Sequence, residues 1–191
     1  LGKNALADYR KQRLVDREIE AAEQALTVAY RAFEAISNMR GRWIPGHETE
    51  ATEAALRDAG LELEGMEAAE KSAYVIRGVI YRRAEFFRKD FDAVFECIPL
   101  AKVYFGKNVA DWLSEFPRAR NRMLSSADFL PMTSGIATFE QDKDFAVTVR
   151  RDVFGVGDNE PDEIRDMVKS ALDQLEVTLF AKLRAEKESH A

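Results

Sequence analysis

The chain is poor in the residues that most chemistry needs. It has one cysteine and two histidines in 191 residues, and no apolar run approaches the ~18–20 residues that cross a bilayer as a helix. A lone thiol, Cys97, excludes intramolecular disulfides and favours a reducing, cytoplasmic setting. His47 sits in a Pro-Gly loop and His190 in a polar tail, and neither has the setting of a general base. No HExxH, no cysteine cluster and no Glu-x-x-His pair on matched helices occurs, so neither a metal nor a cofactor is expected. Gly155-Val156-Gly157 begins a GxG, but no third glycine follows and no buried strand precedes it, so an ordinary connection between helices is the reading. Internal repeats and low-complexity segments are missing too. A formal net charge of −6 argues against nucleic acid or an anionic membrane as partner of the whole surface.

What is present is helical periodicity. From Ala73 to Ile98 the residues Ala73, Ile76, Ile80, Ala84, Phe87, Phe91, Val94 and Ile98 fall on one face, and Tyr74, Tyr81 and Phe95 form a second row beside it. Arg82, Glu85, Lys89, Asp92 and Glu96 lie opposite. This stretch is expected to run as one helix from near Met66 to near Ile98, with Pro99 ending or kinking it and Leu100–Phe105 adding a turn or two before Gly106. A first helix is expected over about residues 4–39. Its Val15, Ile19, Ala22, Leu26, Ala29, Phe33 and Ile36 alternate steps of four and three, a heptad seam of coiled-coil type.

The remaining elements follow from breakers and caps. Gly41 and Trp43-Ile44-Pro45-Gly46 stop the first helix, and a thin surface helix is expected from about Thr49 to Ala59 within a loop-rich stretch, 42–65. Asn108 and Asp111 resemble a capping box for a helix over about 109–128 that buries Val109, Leu113, Phe116, Met123, Ala127 and Leu130 and contains Pro117. Residues 131–137 read as a loop. Residues 138–153 fit a helix through Phe139, Ala146, Val149 and Val153, although Phe145-Val147-Val149 alternates as a strand would; helix is preferred because a strand would have no partner. Asn159 or Glu160 is expected to cap a last helix, Pro161 to Glu186, burying Ile164, Val168, Leu172, Leu175, Leu179 and Leu183 before a frayed tail, 186–191. The fold expected is all-α: one helical domain over residues 1–191, a bundle of about four long helices with short ancillary ones. The first helix and the Ala73–Ile98 helix would form its central antiparallel pair.

Candidate sites are few. Cys97 beside an apolar row reads as a buried thiol, since Glu96 is adjacent and no histidine is near. Glu62, Glu64, Glu67 and Glu70 read as acids at a helix entry, complementing its dipole. Arg77, Arg82, Arg83, Arg88 and Lys89, with Arg118, Arg120 and Arg122 on the next helix, could form an anion or nucleic-acid surface. Acids at i, i+3 and i+4 mostly compensate them, each exposed pair contributing only ~0.3–0.5 kcal/mol, so helix support is the simpler reading. Arg118, Arg120 and Arg122 remain the candidate anion contact. Phe86, Phe87, Phe91, Phe95, Tyr104, Phe105, Trp112 and Phe116 could line an apolar pocket, with packed core as the simpler reading.

Three stretches carry a resemblance: Tyr30-Arg31-Ala32-Phe33-Glu34-Ala35-Ile36 with Met39-Arg40, Leu100-Ala101-Lys102-Val103-Tyr104-Phe105-Gly106, and Pro161-Asp162-Glu163-Ile164. In these the chain resembles a loose group of uncharacterised bacterial helical proteins. In that group the first helix commonly follows a membrane-spanning segment and ends in an Arg-Ser-Pro type turn, where this chain reads Arg40-Gly41-Arg42-Trp43-Ile44-Pro45. The resemblance implies a membrane anchor upstream of Leu1 and assigns no activity or functional residue. The opening LGKNALADYRKQRL, without initiator methionine or signal-peptide core, fits a chain trimmed from something longer. The function expected is a non-enzymatic helical interaction or scaffold module, a self-associating homo-oligomer. The alternatives are a polyanion or nucleic-acid binder using the three arginines, and a small-ligand sensor or enzyme with an aromatic-lined pocket.

Overall fold

The computed structural model describes residues 2–133, 140–157 and 160–189. Within them the chain is all-helical. Its seven helices are α1 (Gly2–Met39), α2 (Gly46–Asp58), α3 (Ala68–Phe86), α4 (Arg88–Phe105), α5 (Lys107–Thr133), α6 (Glu140–Phe154) and α7 (Glu163–Ser189). By packing they sort into two compact units. One holds Leu1–Phe33, Lys89–Pro117 and Val168–Ala191; the other holds Glu34–Arg88 and Arg118–Met167.

The first unit is built on small residues of α1. Ala21, Ala22, Ala25, Ala29 and Ala32 are all buried, with Leu26 and Val28 among them. Alanine carries no side chain beyond Cβ, so a helix rich in it can be approached closely. The same core takes Phe91, Val94, Cys97 and Ala101 from α4, Val109, Leu113 and Phe116 from α5, and Val168, Leu172, Leu175 and Leu179 from α7. Tyr30 of α1 donates its hydroxyl proton to Glu176 of α7. The carboxylate that accepts it raises the Tyr30 pKa, with some help from burial.

The second unit buries Ile36 and Met39 at the end of α1, Val75, Val79 and Ile80 of α3, Met123 and Ala127 of α5, Val149 and Val153 of α6, and Ile164 of α7. α2 packs on α3 at Gly78, where a Cβ would meet the Thr52 Cγ2 at 2.5 Å. Only glycine fits that approach.

Several boundaries differ from the sequence reading. The helix expected from Met66 to Ile98 is two helices: α3 closes at Phe87, whose amide bonds back to Arg83, and α4 opens at Arg88. The apolar period runs through the junction in phase, Ala84 to Phe91, so periodicity could not reveal the break. Pro99 does not end α4, which continues to Phe105. Both Pro99 and Phe95 are exposed, so water can take the carbonyl whose amide partner proline removes. Gly106, at φ +85°, turns the chain from α4 into α5. α5 therefore starts at Lys107, before the expected cap, and Asp111 pairs with Lys107 in place of a box with Asn108. The loop expected over 131–137 begins no earlier than 134, because α5 carries on to Thr133, which is buried and bonds its hydroxyl to the Phe129 and Leu130 carbonyls. Residues 134–139, Asn159 and the end of the tail lie outside the described residues. Residues 140–154 are helix, not strand, with Val149 and Val153 buried. α7 is capped by Asp162, whose Oδ1 accepts the Arg165 amide at 3.1 Å, in place of the expected Glu160. α2 begins at Gly46, earlier than expected, and α7 runs on to Ser189.

Candidate functional site

The polar chemistry of the second unit is organised by arginines. Arg40 stands just past the last helical residue of α1 and is 8% exposed. Its Nε donates to the Asp152 carbonyl at 3.0 Å, and its Nη2 to the Arg151 carbonyl at 2.7 Å and to Asp162 Oδ1 at 2.9 Å. One guanidinium thus caps two carbonyls near the end of α6 and neutralises the residue that starts α7. A planar fork with five donors on three nitrogens suits this three-way task better than the single nitrogen of a lysine. Burial raises the Asp162 pKa, but the Arg40 bond and the Arg165 amide outweigh it and hold the carboxyl below its ordinary value.

Asp152, buried on α6, anchors a second cluster. Arg122 of α5 grips it with both arms, Nε to Oδ2 at 2.9 Å and Nη2 to Oδ1 at 3.1 Å, and Ser126 Oγ donates to Oδ2 at 2.9 Å. Arg122 also reaches Glu163 at 2.7 Å. The Asp152 bond, which outweighs partial burial, and then Glu163 push the Arg122 pKa above its ordinary value, so this group stays charged. A third cluster closes the loop after α1. Arg83 of α3 donates to both Glu48 oxygens at 3.1 and 2.6 Å and to the Gly41 and Trp43 carbonyls at 2.9 and 3.0 Å. The Arg83 bond, against a smaller effect of burial, lowers the Glu48 pKa. Earlier on α3, Arg77 Nε and the Tyr81 hydroxyl share Asp128 of α5 at 2.8 and 2.9 Å.

The arginines singled out from the sequence therefore divide. Arg122 is committed to Asp152 and Glu163, and Arg83 and Arg77 to the partners above. Arg118 is exposed and Arg120 half-buried on α5, each with an interaction partner of its own. Arg82 is exposed at the rim of a pocket of about 540 Å³ that Asn38, Glu48, Thr52 and Val79 also line, with Phe86 and Phe87. The aromatics have unlike surroundings. Phe91 and Phe116 are fully buried, whereas Phe86 is 81% exposed and Phe95 54%. The second aromatic row, expected to broaden a buried face, is half-buried at Tyr74 and exposed at Tyr81 and Phe95.

Cys97 is buried, and burial raises its pKa, so it is not a ready nucleophile. His47 is exposed near the start of α2, and His190 lies outside the described residues. Among the described residues no group of three or more His, Cys, Asp or Glu side chains could hold a metal ion. No described helix is long and apolar enough to cross a membrane.

Two features escaped the sequence reading. One is Arg40, whose role depends on carbonyls and a carboxylate more than 100 residues away; its only local signal was an arginine followed by the helix-stopping Gly41. The other is a pocket of about 480 Å³ lined by Arg42, Arg150 and Arg151 with Val147, Phe154 and Glu160. Comparison with protein-family models, with characterised proteins and with solved structures finds no match to this chain.

Proposed function

We propose that this chain is a non-enzymatic helical interaction module that associates with a second copy of itself through the outer side of α4. The observation that carries the reading is an apolar stripe on that helix. Phe95, Pro99 and Val103 recur every four residues, with Leu100 alongside, and Phe95, Leu100 and Val103 are 54%, 40% and 80% exposed. The opposite side of the same helix is spent on the core through Phe91, Val94, Cys97 and Ala101. Single exposed apolar residues are ordinary, but a row of them on one face favours a protein partner. A self-complementary patch of this kind forms a symmetric dimer with the least new design. A buried thiol and no metal-binding cluster among the described residues are compatible with this reading without carrying it. The lone buried Cys97 supports a reducing, cytoplasmic setting.

The test is the molar mass in solution. Multi-angle light scattering behind a sizing column, at micromolar to ~100 µM protein, should give a dimer or higher mass that Val103→Glu with Phe95→Asp returns to monomer. A wild-type monomer across that range overturns self-association through α4.

A further inference from the structure

The pocket at the end of α6 is independent of the α4 stripe. It brings three arginines to one shallow surface pocket. Arg150 and Arg151 are consecutive on α6, and Arg42 comes from the loop after α1, steered there by its Nη2 bond to the Gly155 carbonyl at 3.0 Å. Gly155, at φ +67°, ends α6 and turns the chain so that this carbonyl faces Arg42. Glu160 is the one carboxylate among the described lining residues, so three cations face one anion.

Basic residues near a helix C-terminus are usually explained by the helix dipole and its bare carbonyls. Three of the carbonyls there are already served by other groups. Arg40 takes the Arg151 and Asp152 carbonyls, and Arg42 takes that of Gly155, while the Gly155 amide bonds the Arg151 carbonyl at 2.8 Å. The Arg150 side chain is exposed on the pocket wall, and the Arg151 Nε is buried without a protein acceptor. The rest of the wall is apolar: Val147 is 53% exposed, and Phe154 is half-buried beside it. A volume of about 480 Å³ lies within the usual range for small-molecule sites, which combine apolar walls with a few convergent polar groups.

We infer that this pocket binds a small organic anion, a carboxylate or phosphate carried on a flat apolar body, with Arg150, Arg151 and Arg42 holding the charge and Val147 and Phe154 the body. Guanidinium groups pair carboxylate and phosphate oxygens in fork geometry, which sets the orientation. The volume suits a small molecule held at a shallow, open site.

Calorimetric titration of the intact chain with phenyl phosphate, in physiological salt, tests the assignment. One saturable site per chain is expected, weakened about tenfold or more by Arg150→Gln and by Arg42→Gln, because a bond to a charged group is lost in each. Arg17→Gln, on the exposed side of α1, should bind as the wild type does. Inorganic phosphate should bind more weakly than phenyl phosphate, and phenol should not bind. Both pocket variants must keep the wild-type circular dichroism; Arg150 is exposed, which makes its replacement the safer of the two. The inference is overturned by no saturable binding of phenyl phosphate up to about 10 mM, where association is already marginal. It is overturned equally by binding that both pocket variants leave unchanged, or by inorganic phosphate binding as tightly as phenyl phosphate.

Discussion

Replacing Gly78 with alanine adds one methyl group where α3 lies against α2, and the geometry sets what that methyl must do. Its carbon would stand 2.5 Å from Thr52 Cγ2 and 3.7 Å from Leu56 Cδ1. Carbon atoms in good contact sit about 3.5–4.0 Å apart, so the Thr52 contact is too short by about 1 Å and the Leu56 contact is ordinary. Thr52 cannot simply swing away. It is 1% exposed, its β-branched side chain has few rotamers, and its Oγ1 donates to the Glu48 carbonyl at 2.7 Å. Forcing one carbon into such a site costs about 1–3 kcal/mol, against which alanine returns up to ~1 kcal/mol of helix propensity. Gly78→Ala should therefore lower stability by about 1 kcal/mol. Thr52→Ser removes the clashing methyl and keeps the hydroxyl, so in that background Gly78→Ala should become neutral or stabilising. The coupling between the two changes should reach about 1–2 kcal/mol, far beyond the additivity expected of independent sites. Urea unfolding followed by circular dichroism reads all four proteins, with equal slopes as the check that stability alone has changed. If Gly78→Ala proves more stable than the wild type, or if the two changes simply add, the close approach of α2 and α3 is not as described.

Arg40→Met should be among the most destabilising single changes in the chain, about 3–5 kcal/mol, since it strands the buried Asp162 and two carbonyls at once; a lowered urea midpoint measures it. The Asp162 and Glu48 carboxyls are held below their ordinary values in the folded chain. Stability from them is therefore complete above the unfolded carboxylate range, about pH 4, and is lost as the pH falls through the lower folded values. Asp162→Asn keeps a capping side chain, loses the charge, and should flatten the fall in thermal midpoint below about pH 4. Pro99→Ala should stabilise the single chain by roughly 1–3 kcal/mol, because within the chain the ring is exposed while its replacement restores an amide donor inside α4; a raised thermal midpoint at a dilution where the chain is monomeric checks it.

The helical class and most of the core were legible in the chain itself. Spacings of three and four name Ala22, Leu26, Ala29 and Ile36 on α1, Val109, Leu113, Phe116, Met123 and Ala127 on α5, and Ile164, Val168, Leu172, Leu175 and Leu179 on α7, and every one is buried. Such patterns work because a helix repeats its facing direction every 3.6 residues, whatever it packs against. Helix ends were harder. Asn108 looks like a cap, yet the left-handed turn at Gly106 starts the helix before it; Asp162 looked like a residue of the first turn, yet Arg40 holds it at the cap position.

Sequence by itself determined the helical class and most of the residues that avoid water, since both follow from neighbours three and four positions away. Only the tertiary structure decided the fate of the charges. From sequence, the arginines of α3 and α5 differ only in their local acids, and local pairing at i, i+4 is weak. Their real partners are distant: Asp152 and Glu163 for Arg122, Asp128 for Arg77, Glu48 and loop carbonyls for Arg83. The same holds for the cations that gather at the end of α6. Arg42 lies more than 100 residues before Arg150 and Arg151, and no local period joins them. A buried charge takes the acceptor that the fold brings within about 3 Å, and that distance has no relation to separation along the chain.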